Sequence, residues 1–382
     1  MIRSRPTLFS RARTHQAGAQ IPVSIHGHKT SLLSNKAHLL AAAAGRRSIP
    51  SRRLVAGPAL AMDPASSEEI IIDSRYFRIY GDRRIDRLVG TTTVPPGFDA
   101  ATGVTSRDVT IDADTGLYVR LYLPADTSSK QQNDVKKLPL LVYFHGGAFV
   151  TQSAAAPAYQ PFLSTLAARA GLLVVSVNYR LAPEHPFPAG YEDSLRALEW
   201  AVAGGGGDPW LSRHGDLGRV FLAGESAGGN IAHNVAMMAA AGEAAAAVEG
   251  AAVLHALFSG REPVDGELPM WVESLGKLWA VVCPEAAEGT DDPRMNPAAA
   301  PASLRRMPCR RVLVCAAEKD FGAPRCRAYY EALKASGWGG EVEWFESKGE
   351  DHVFFLAKPA DDDVVAELMD RLVAFFTATG GN

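Results

Sequence analysis

The chain has 382 residues and a formal net charge of −3, with 47% apolar and 21% charged residues, which is an ordinary composition for a globular protein. Residues 1–62 hold ten Lys or Arg and no Asp or Glu, so the remainder, with 29 basic and 42 acidic residues, is acidic. This charge argues against nucleic acid as a partner, because phosphate binding needs a basic face.

The cysteines and the apolar runs bear on whether the protein binds metal, carries disulfides or spans a membrane. Cys283, Cys309, Cys315 and Cys326 form no C-x-x-C pair and have no metal-ligand spacing with histidines. We therefore expect core or surface thiols in a reducing compartment, and no metal site. No apolar run approaches the roughly 20 residues that a membrane-spanning helix requires, so no span is predicted.

Residues 1–61 differ in composition from the rest of the chain, which indicates an extension that precedes the folded domain. They are rich in Arg, Ser, Ala and His, and they lack the compact apolar segment of a secretory signal, which is typical of a chloroplast or mitochondrial transit peptide. Alternatively, translation starts at Met62 and the protein is cytoplasmic. In both cases we expect residues 1–61 to be disordered and residues 62–382 to form the folded domain.

The first part of the folded domain leads to a central strand. Residues 68–84 alternate apolar and charged residues, which predicts a short helix and a strand-like turn near the site entrance. Residues 106–112 and 117–123 alternate with period two around a turn and predict a hairpin of edge strands. Residues 138–144 are almost continuously apolar, which favours a central, buried strand.

Directly after that strand comes His145-Gly146-Gly147. Two successive glycines let backbone N–H groups approach a ligand oxygen closely, so we interpret the loop as half of an oxyanion hole. A plain tight turn is the alternative. His145 itself is predicted to brace the loop and to take no part in proton transfer.

The middle of the chain alternates helix and strand. A helix is predicted at 157–170, a buried strand at 172–177, and a rigid, hydrogen-bonded wall at 178–188, where Pro residues are frequent. A further helix opens at residue 191, and the apolar run 219–223 predicts another buried parallel strand.

That strand leads into the G-x-S-x-G motif at 224–228, with Ser226 at its centre and a helix predicted over 231–238. A Ser between a strand and a helix sits on a very tight turn, which the flanking glycines permit and which lifts its hydroxyl out of the sheet. The turn also leaves the N–H of Ala227 at a helix N-terminus, where it can face negative charge. This is the pattern of the nucleophile elbow of α/β-hydrolases.

The last third continues the alternation. Strands are predicted at 251–258, 311–317 and 341–346, and helices at 327–336 and 360–377. Section 260–301 lacks strand periodicity and carries apolar residues at helical spacing, which either line a substrate pocket or pack a lid. Alternating strands and helices predict the α/β class, with a mostly parallel central sheet and helices on both faces.

The candidate catalytic residues are Ser226, Asp320 and His352. A Ser hydroxyl needs a neighbouring imidazole to take its proton, and that imidazole needs an acid on its other nitrogen. Each of the three follows a predicted strand, in the order Ser, acid, His of α/β-hydrolases. Glu318 is the alternative acid. The competing histidines are less well placed, since none of them follows the late acidic residues; they are His185, His214, His233 and His255.

Three motifs together carry a family resemblance. Residues 145–147 (HGG), 178–184 (NYRLAPE) and 224–230 (GESAGGN) resemble the plant carboxylesterases of the hormone-sensitive-lipase-like group of α/β-hydrolases, over about residues 68 to 377. The resemblance implies a cofactor-free esterase in which the N-terminal segment and section 260–301 form a small cap. Carried over by motif, Ser226 is the nucleophile, Asp320 the orienting acid and His352 the base; the oxyanion donors are Gly146, Gly147 and Ala227.

The same resemblance leaves other functions open. Related proteins include non-catalytic gibberellin receptors, which lack the catalytic His, as well as hydroxyisoflavanone dehydratases and lactone-forming tuliposide-converting enzymes. His352 favours an enzyme over a receptor. One departure concerns the acid: the family often has a Leu two residues after it, whereas here Asp320 is followed by Phe321 and Gly322. The sequence predicts a serine esterase acting on small to medium carboxylic esters.

Overall fold

The computed structural model describes residues 69–125, 137–240 and 248–378. The predictions made for residues 1–61, including their disorder and the boundary at Met62, lie outside the described residues. Within those residues no helix has both the length and the apolar character needed to cross a bilayer.

The described residues form twelve strands in two sheets. They are β1 (Ile70–Asp73), β2 (Phe77–Tyr80), β3 (Ile85–Arg87), β4 (Phe98–Asp99), β5 (Val104–Asp112), β6 (Leu117–Pro124), β7 (Leu138–Phe144), β8 (Leu173–Asn178), β9 (Gly215–Glu225), β10 (Val248–Leu254), β11 (Arg311–Ala317) and β12 (Glu341–Ser347). β1–β2–β3 is a small antiparallel sheet. The other nine form one sheet in the order β12-β11-β10-β9-β7-β8-β6-β5-β4.

Eight α-helices lie in the same part of the chain. They are α1 (Tyr159–Ala170), α2 (Ala189–Val202), α3 (Pro209–His214), α4 (Ala227–Ala239), α5 (Pro269–Val282), α6 (Pro301–Leu304), α7 (Ala323–Ala335) and α8 (Asp363–Thr377). Short 3-10 turns occupy Gly289–Asp291, Pro297–Ala299 and Phe354–Leu356.

The large sheet is parallel where the site forms and antiparallel towards one edge. β8, β7, β9, β10, β11 and β12 run parallel to one another, whereas β6, β5 and β4 pair antiparallel. The carboxyl ends of the parallel strands therefore meet at one edge, which is where ligands bind in open α/β sheets.

Alternating side chains of the central strands divide the core into two layers. On β7, Leu140 and Val142 pack on one face with α2, α4, α5 and α7, while Leu141 and Tyr143 pack on the other with α1 and α8. Both faces are fully buried, which explains the nearly continuous apolar run of β7. The predicted fold, an α/β-hydrolase fold with helices on both faces of a mostly parallel sheet, is confirmed.

Two local predictions are wrong. Residues 68–84 contain no helix among those described; the apolar residues there form β1 and β2, whose edges pair with each other and with β3. The strand predicted at 251–258 ends at Leu254, and His255 follows in a positive-φ conformation (φ 46°) that leaves the strand.

Candidate active site

Ser226 sits on the sharp turn that the G-x-S-x-G motif predicts. β9 ends at Glu225, α4 begins at Ala227, and Ser226 between them has φ 55° and ψ −120°, a strained conformation for a residue with a side chain. A Cβ on Gly228 would lie 1.9 Å from the carbonyl oxygen of Phe144. Only glycine fits this crossing of helix and strand, which is why the motif requires it.

The structure brings Ser226, His352 and Asp320 into one hydrogen-bonded line. Nε2 of His352 lies 3.0 Å from Oγ of Ser226, and Nδ1 of the same ring lies 2.9 Å from Oδ2 of Asp320. Asp320 follows β11 and His352 follows β12, so neighbouring parallel strands deliver both groups to the elbow. These distances suit proton transfer from the hydroxyl, and the catalytic roles of the three residues stay predictions at this point.

Asp320 is held as a carboxylate although it is 4% exposed. Burial alone would raise its pKa, but His352 and the amide of Gly322, which donates to Oδ1 at 2.8 Å, together bring the pKa below its usual value. The alternative acid, Glu318, is exposed and accepts a hydrogen bond from the amide of Gly349. Of the two candidates, only Asp320 contacts His352.

A second His, His255, lies beside the same carboxylate. Its Nδ1 is 3.4 Å from Oδ2 of Asp320 but accepts the amide hydrogen of Val353 at 3.0 Å, so it has no proton to give to Asp320. Burial lowers the pKa of His255 to about 4, which keeps the ring neutral at pH 7. Its contact with Asp320 is therefore not an ion pair. His255 instead fixes the backbone at Val353, directly after His352.

One of the predicted oxyanion donors, the amide of Gly146, has a hydrogen-bond partner inside the protein. The amide of Gly146 donates to Oε1 of Glu225 and also lies 3.2 Å from the hydroxyl of Tyr159, so it is already used inside the protein. Sequence patterns give no sign of this, because the contact joins residues 79 positions apart. Because Glu225 accepts this amide hydrogen, the Gly146 amide is not available to an oxyanion in this arrangement.

The other predicted donors keep their amides available. Within the described part of the chain, no group accepts a hydrogen bond from the N–H of Gly147, Ala148 or Ala227. Gly147 and Ala148 both have positive φ, at 99° and 56°. Ala227 opens α4, where a helix N-terminus favours negative charge. Ala148, which the sequence motifs do not single out, is thus a third available amide.

His145 packs as a brace, as predicted. It is fully buried, stacks on Tyr179 with ring centroids 4.3 Å apart, and accepts the Tyr179 hydroxyl hydrogen on its backbone oxygen at 2.6 Å. Burial lowers the pKa of His145 to about 4, so the ring is neutral. The wall predicted at 178–188 is hydrogen-bonded: Arg180 pairs with Asp193 through two contacts of 2.8 Å.

Section 260–301 contributes an aromatic surface beside the base. Trp271 on α5 stacks on Phe321 with centroids 4.5 Å apart, and Phe321 lies 4.8 Å from the ring of His352. Leu278 and Trp279, further along α5, are buried in the core. Leu278 and Trp279 therefore pack as core residues, and pocket lining by this section stays a prediction, for which Trp271 is the candidate.

The same section is tied to the elbow helix. Asn230, on α4, donates to the backbone oxygens of Leu257 and Arg294 at 3.1 and 2.9 Å and accepts from the Tyr191 hydroxyl at 2.7 Å. The remaining candidate His on α4, His233, is buried against Tyr329 at 3.0 Å, and burial lowers its pKa to about 3. His233 is a core residue.

Comparison with known proteins places the chain in a family. A family model described as "alpha/beta hydrolase fold" matches residues 141–356, which include all three candidate catalytic residues. The chain belongs to the α/β hydrolase fold family. This hydrolase is 46% identical over 328 residues to tuliposide A-converting enzyme 2, chloroplastic, of Tulipa gesneriana, covering 83% of this chain and 82% of the relative.

Two further comparisons agree. The hydrolase is 40% identical over 314 residues to probable carboxylesterase 13 of Arabidopsis thaliana, covering 78% of this chain and 94% of the relative. An esterase structure from Pyrobaculum calidifontis superposes with a TM-score of 0.58 at 28% identity, covering 71% of this chain and 84% of that one. The predicted resemblance to plant carboxylesterases and the predicted class, a carboxylic ester hydrolase, are confirmed.

Proposed function

We propose that the protein is a serine carboxylesterase that hydrolyses small to medium carboxylic esters through an acyl-enzyme on Ser226. The observation that carries the proposal is the unbroken line from Oγ of Ser226 through the ring of His352 to Asp320, with both links at 3.0 Å or less. Such a line activates a hydroxyl that is otherwise a weak nucleophile at neutral pH.

In the first half-reaction, Oγ of Ser226 attacks the ester carbonyl while Nε2 of His352 takes its proton. Asp320 accepts from Nδ1 and stabilises the imidazolium that forms. The amides of Gly147, Ala148 and Ala227 face the developing oxyanion, each worth on the order of 3 kcal/mol in comparable holes. His352 then returns the proton to the alcohol oxygen as the C–O bond breaks.

In the second half-reaction, water gives a proton to His352 as its oxygen attacks the acyl carbon. The bond between that carbon and Oγ of Ser226 then breaks, and His352 returns the proton to Oγ as the acid leaves. The relatives named tuliposide A-converting enzymes, at 46% identity, favour a second candidate. In it, a hydroxyl carried by the acyl group replaces water and closes a lactone on the same acyl-enzyme. The two candidates share every residue and differ only in the acyl acceptor.

Turnover of short-chain p-nitrophenyl esters by the full chain, beside Ser226→Ala, tests the proposal. We expect serine-dependent release of p-nitrophenol. Turnover that Ser226→Ala leaves unchanged would refute the mechanism, and a folded protein inactive on all esters would favour a receptor or a dehydratase. An ester whose acyl group carries a γ-hydroxyl separates the two candidates, because lactone and free acid have different masses.

For location, we propose that residues 1–61 are a plastid transit peptide preceding the hydrolase domain at 62–382. The acid-free, Arg-rich composition supports this, and relatives such as tuliposide A-converting enzyme 2 are named as chloroplastic. Fluorescent-protein fusions of the full chain and of a chain starting at Met62 test it in plant cells. Plastid signal for the first alone is the expected result, and identical distributions would contradict it.

A further inference from the structure

Glu225 precedes the nucleophile, yet its side chain serves a different part of the site. It is 1% exposed, and its carboxylate accepts hydrogen bonds from the Tyr143 hydroxyl at 2.5 Å, from the Tyr159 hydroxyl at 2.7 Å and from the amide of Gly146. Resting on the proposed function, we propose that Glu225 is a positioning residue that holds the oxyanion loop, residues 145–149, in register with Ser226.

The cost of this arrangement is the first argument for a role. A buried carboxylate loses its hydration, and the hydrogen-bond donors that face Glu225 among the described residues are neutral, with no Lys or Arg among them. Its donors come from three separate elements: Tyr143 from β7, Tyr159 from α1 and Gly146 from the loop. An apolar residue would fill the core without that cost, but it would not hold the Gly146 amide.

The second argument is the tight contact between Glu225 and the loop. A Cβ on Gly146 would lie 2.6 Å from Oε1 and 2.8 Å from the backbone oxygen of Glu225, so the loop rests directly on this residue. Gly147, the next residue, supplies one of the proposed oxyanion amides. A shift of Gly146 therefore moves that amide, and misplacement by about 1 Å can cost 100-fold in rate.

The third argument is that Glu225 changes charge near neutral pH. Burial raises its pKa to about 7 against the effect of its three donors. The titratable groups that face it are Tyr143, Tyr159, Tyr179 and His145, and they carry no charge at that pH, because burial raises the pKa of each Tyr and lowers that of His145. A proton on Glu225 removes an acceptor from the network that holds Gly146.

Two substitutions of Glu225 test the inference in the full chain. Glu225→Leu removes every acceptor, and we expect kcat to fall about 100-fold with KM within threefold. Glu225→Gln keeps an oxygen for the Gly146 amide but carries no charge, as Glu225 itself does once it is protonated. We therefore expect kcat/KM of Glu225→Gln to lie about tenfold below that of the unaltered protein at pH 8 and to approach it below pH 6, where Glu225 of the unaltered protein is also uncharged.

Affinity for a trifluoromethyl ketone reports on the hole itself. Oγ of Ser226 adds to the ketone carbon as its proton passes to His352, the C=O π electrons move to the oxygen, and the resulting oxyanion occupies the hole with no leaving group to expel. We expect Glu225→Leu to weaken inhibition in step with kcat. Glu249→Gln is the matched control: Glu249 pairs with Arg219 and Arg311 near the other ends of the strands, so its loss should change thermal stability alone.

The outcomes separate the two proposals. Loss of turnover in Ser226→Ala supports the serine mechanism whatever Glu225 does. A folded Glu225→Leu with unchanged kcat or unchanged inhibitor affinity would overturn the positioning role. If Glu225→Leu does not fold, the ratio of kcat/KM between the unaltered protein and Glu225→Gln decides: a ratio that shrinks as pH falls from 8 to 6 supports the role, and a ratio that stays constant refutes it.

Discussion

Oδ2 of Asp320 lies 2.9 Å from Nδ1 of His352, and the two residues follow β11 and β12, which pair in parallel register from Arg311 with Glu341 to Ala317 with Ser347. The register of one strand pair thus sets the distance between acid and base. Because Asp320 is buried, it cannot turn to water, and His352 keeps one orientation towards Ser226.

Asp320→Asn should lower kcat on a p-nitrophenyl ester by about 10⁴-fold, the size seen for the equivalent change in other Ser-His-Asp enzymes. The amide can donate to Nδ1, which puts the ring proton on Nε2 and removes the acceptor for Ser226. Glu318→Gln is the matched control, since Glu318 is exposed and its carboxylate accepts a hydrogen bond from the Gly349 amide. Equal losses in the two variants would contradict the assignment of Asp320.

The aromatic surface beside the base should influence substrate choice. Trp271→Ala removes the ring that stacks on Phe321, which itself lies 4.8 Å from His352. We expect kcat/KM to fall more for esters with bulky apolar groups than for acetates, by about tenfold, because each lost apolar contact is worth roughly 1–3 kcal/mol. A series of p-nitrophenyl esters of increasing chain length measures this. A uniform change across the series would contradict it.

The elbow glycines should tolerate no side chain. Gly228→Ala would bring a Cβ to 1.9 Å from a backbone oxygen, so we expect loss of both folding yield and activity. Gly276, inside α5, has open space where a Cβ would stand, with nothing within 4 Å, so Gly276→Ala should stabilise the fold by about 0.5–1 kcal/mol through helix propensity. Thermal unfolding of both variants tests the contrast, and equal effects would contradict it.

The raised pKa of Glu225 gives a pH dependence of stability. The folded chain holds the Glu225 proton up to about pH 7, whereas the unfolded chain releases it near 4.5, so this residue favours the folded state less as pH rises through that window. The change amounts to about 3 kcal/mol. Asp320 has the opposite effect: because its pKa is lowered in the folded state, its contribution to stability is lost as pH falls, and this happens below the pH range in which Glu225 acts.

The difference in free energy of unfolding between the unaltered protein and Glu225→Gln measures this effect. Between pH 4.5 and pH 8 the free energy of unfolding of the unaltered protein should fall by about 3 kcal/mol relative to that of Glu225→Gln, because Gln has no proton to lose. A difference that stays constant across this range would show that Glu225 does not titrate there.

The elements that sequence predicts best are the buried central strands. The predicted bounds of β7 and β11, 138–144 and 311–317, are those of the structure, because strands buried on both faces read as unbroken apolar runs. The small sheet at 70–87 differs from the predicted helix and turn because its strands are only three or four residues long. Their conformation depends on pairing with one another, and the periodicity of the local sequence does not reveal that pairing.

Within the site, sequence motifs predict the candidate catalytic residues but not the residues that position them. Ser226, Asp320 and His352 follow from the order of strands and from the chemistry of a Ser nucleophile. The partner of the Gly146 amide does not, because Glu225 reaches it only once β7 and β9 lie side by side in the folded sheet. His255 offers one usable signal: a lone His at the end of a buried strand, at the edge where the site forms.

The most direct test of the proposed mechanism is covalent trapping of the nucleophile. The full chain is treated with a fluorophosphonate, which loses fluoride as an activated Ser attacks phosphorus, and the intact mass and the peptide carrying the adduct are determined. We predict one adduct, on Ser226, that forms in parallel with loss of esterase activity and is absent in Ser226→Ala and slow in His352→Ala. An adduct on another residue, or full inactivation without modification of Ser226, would contradict it.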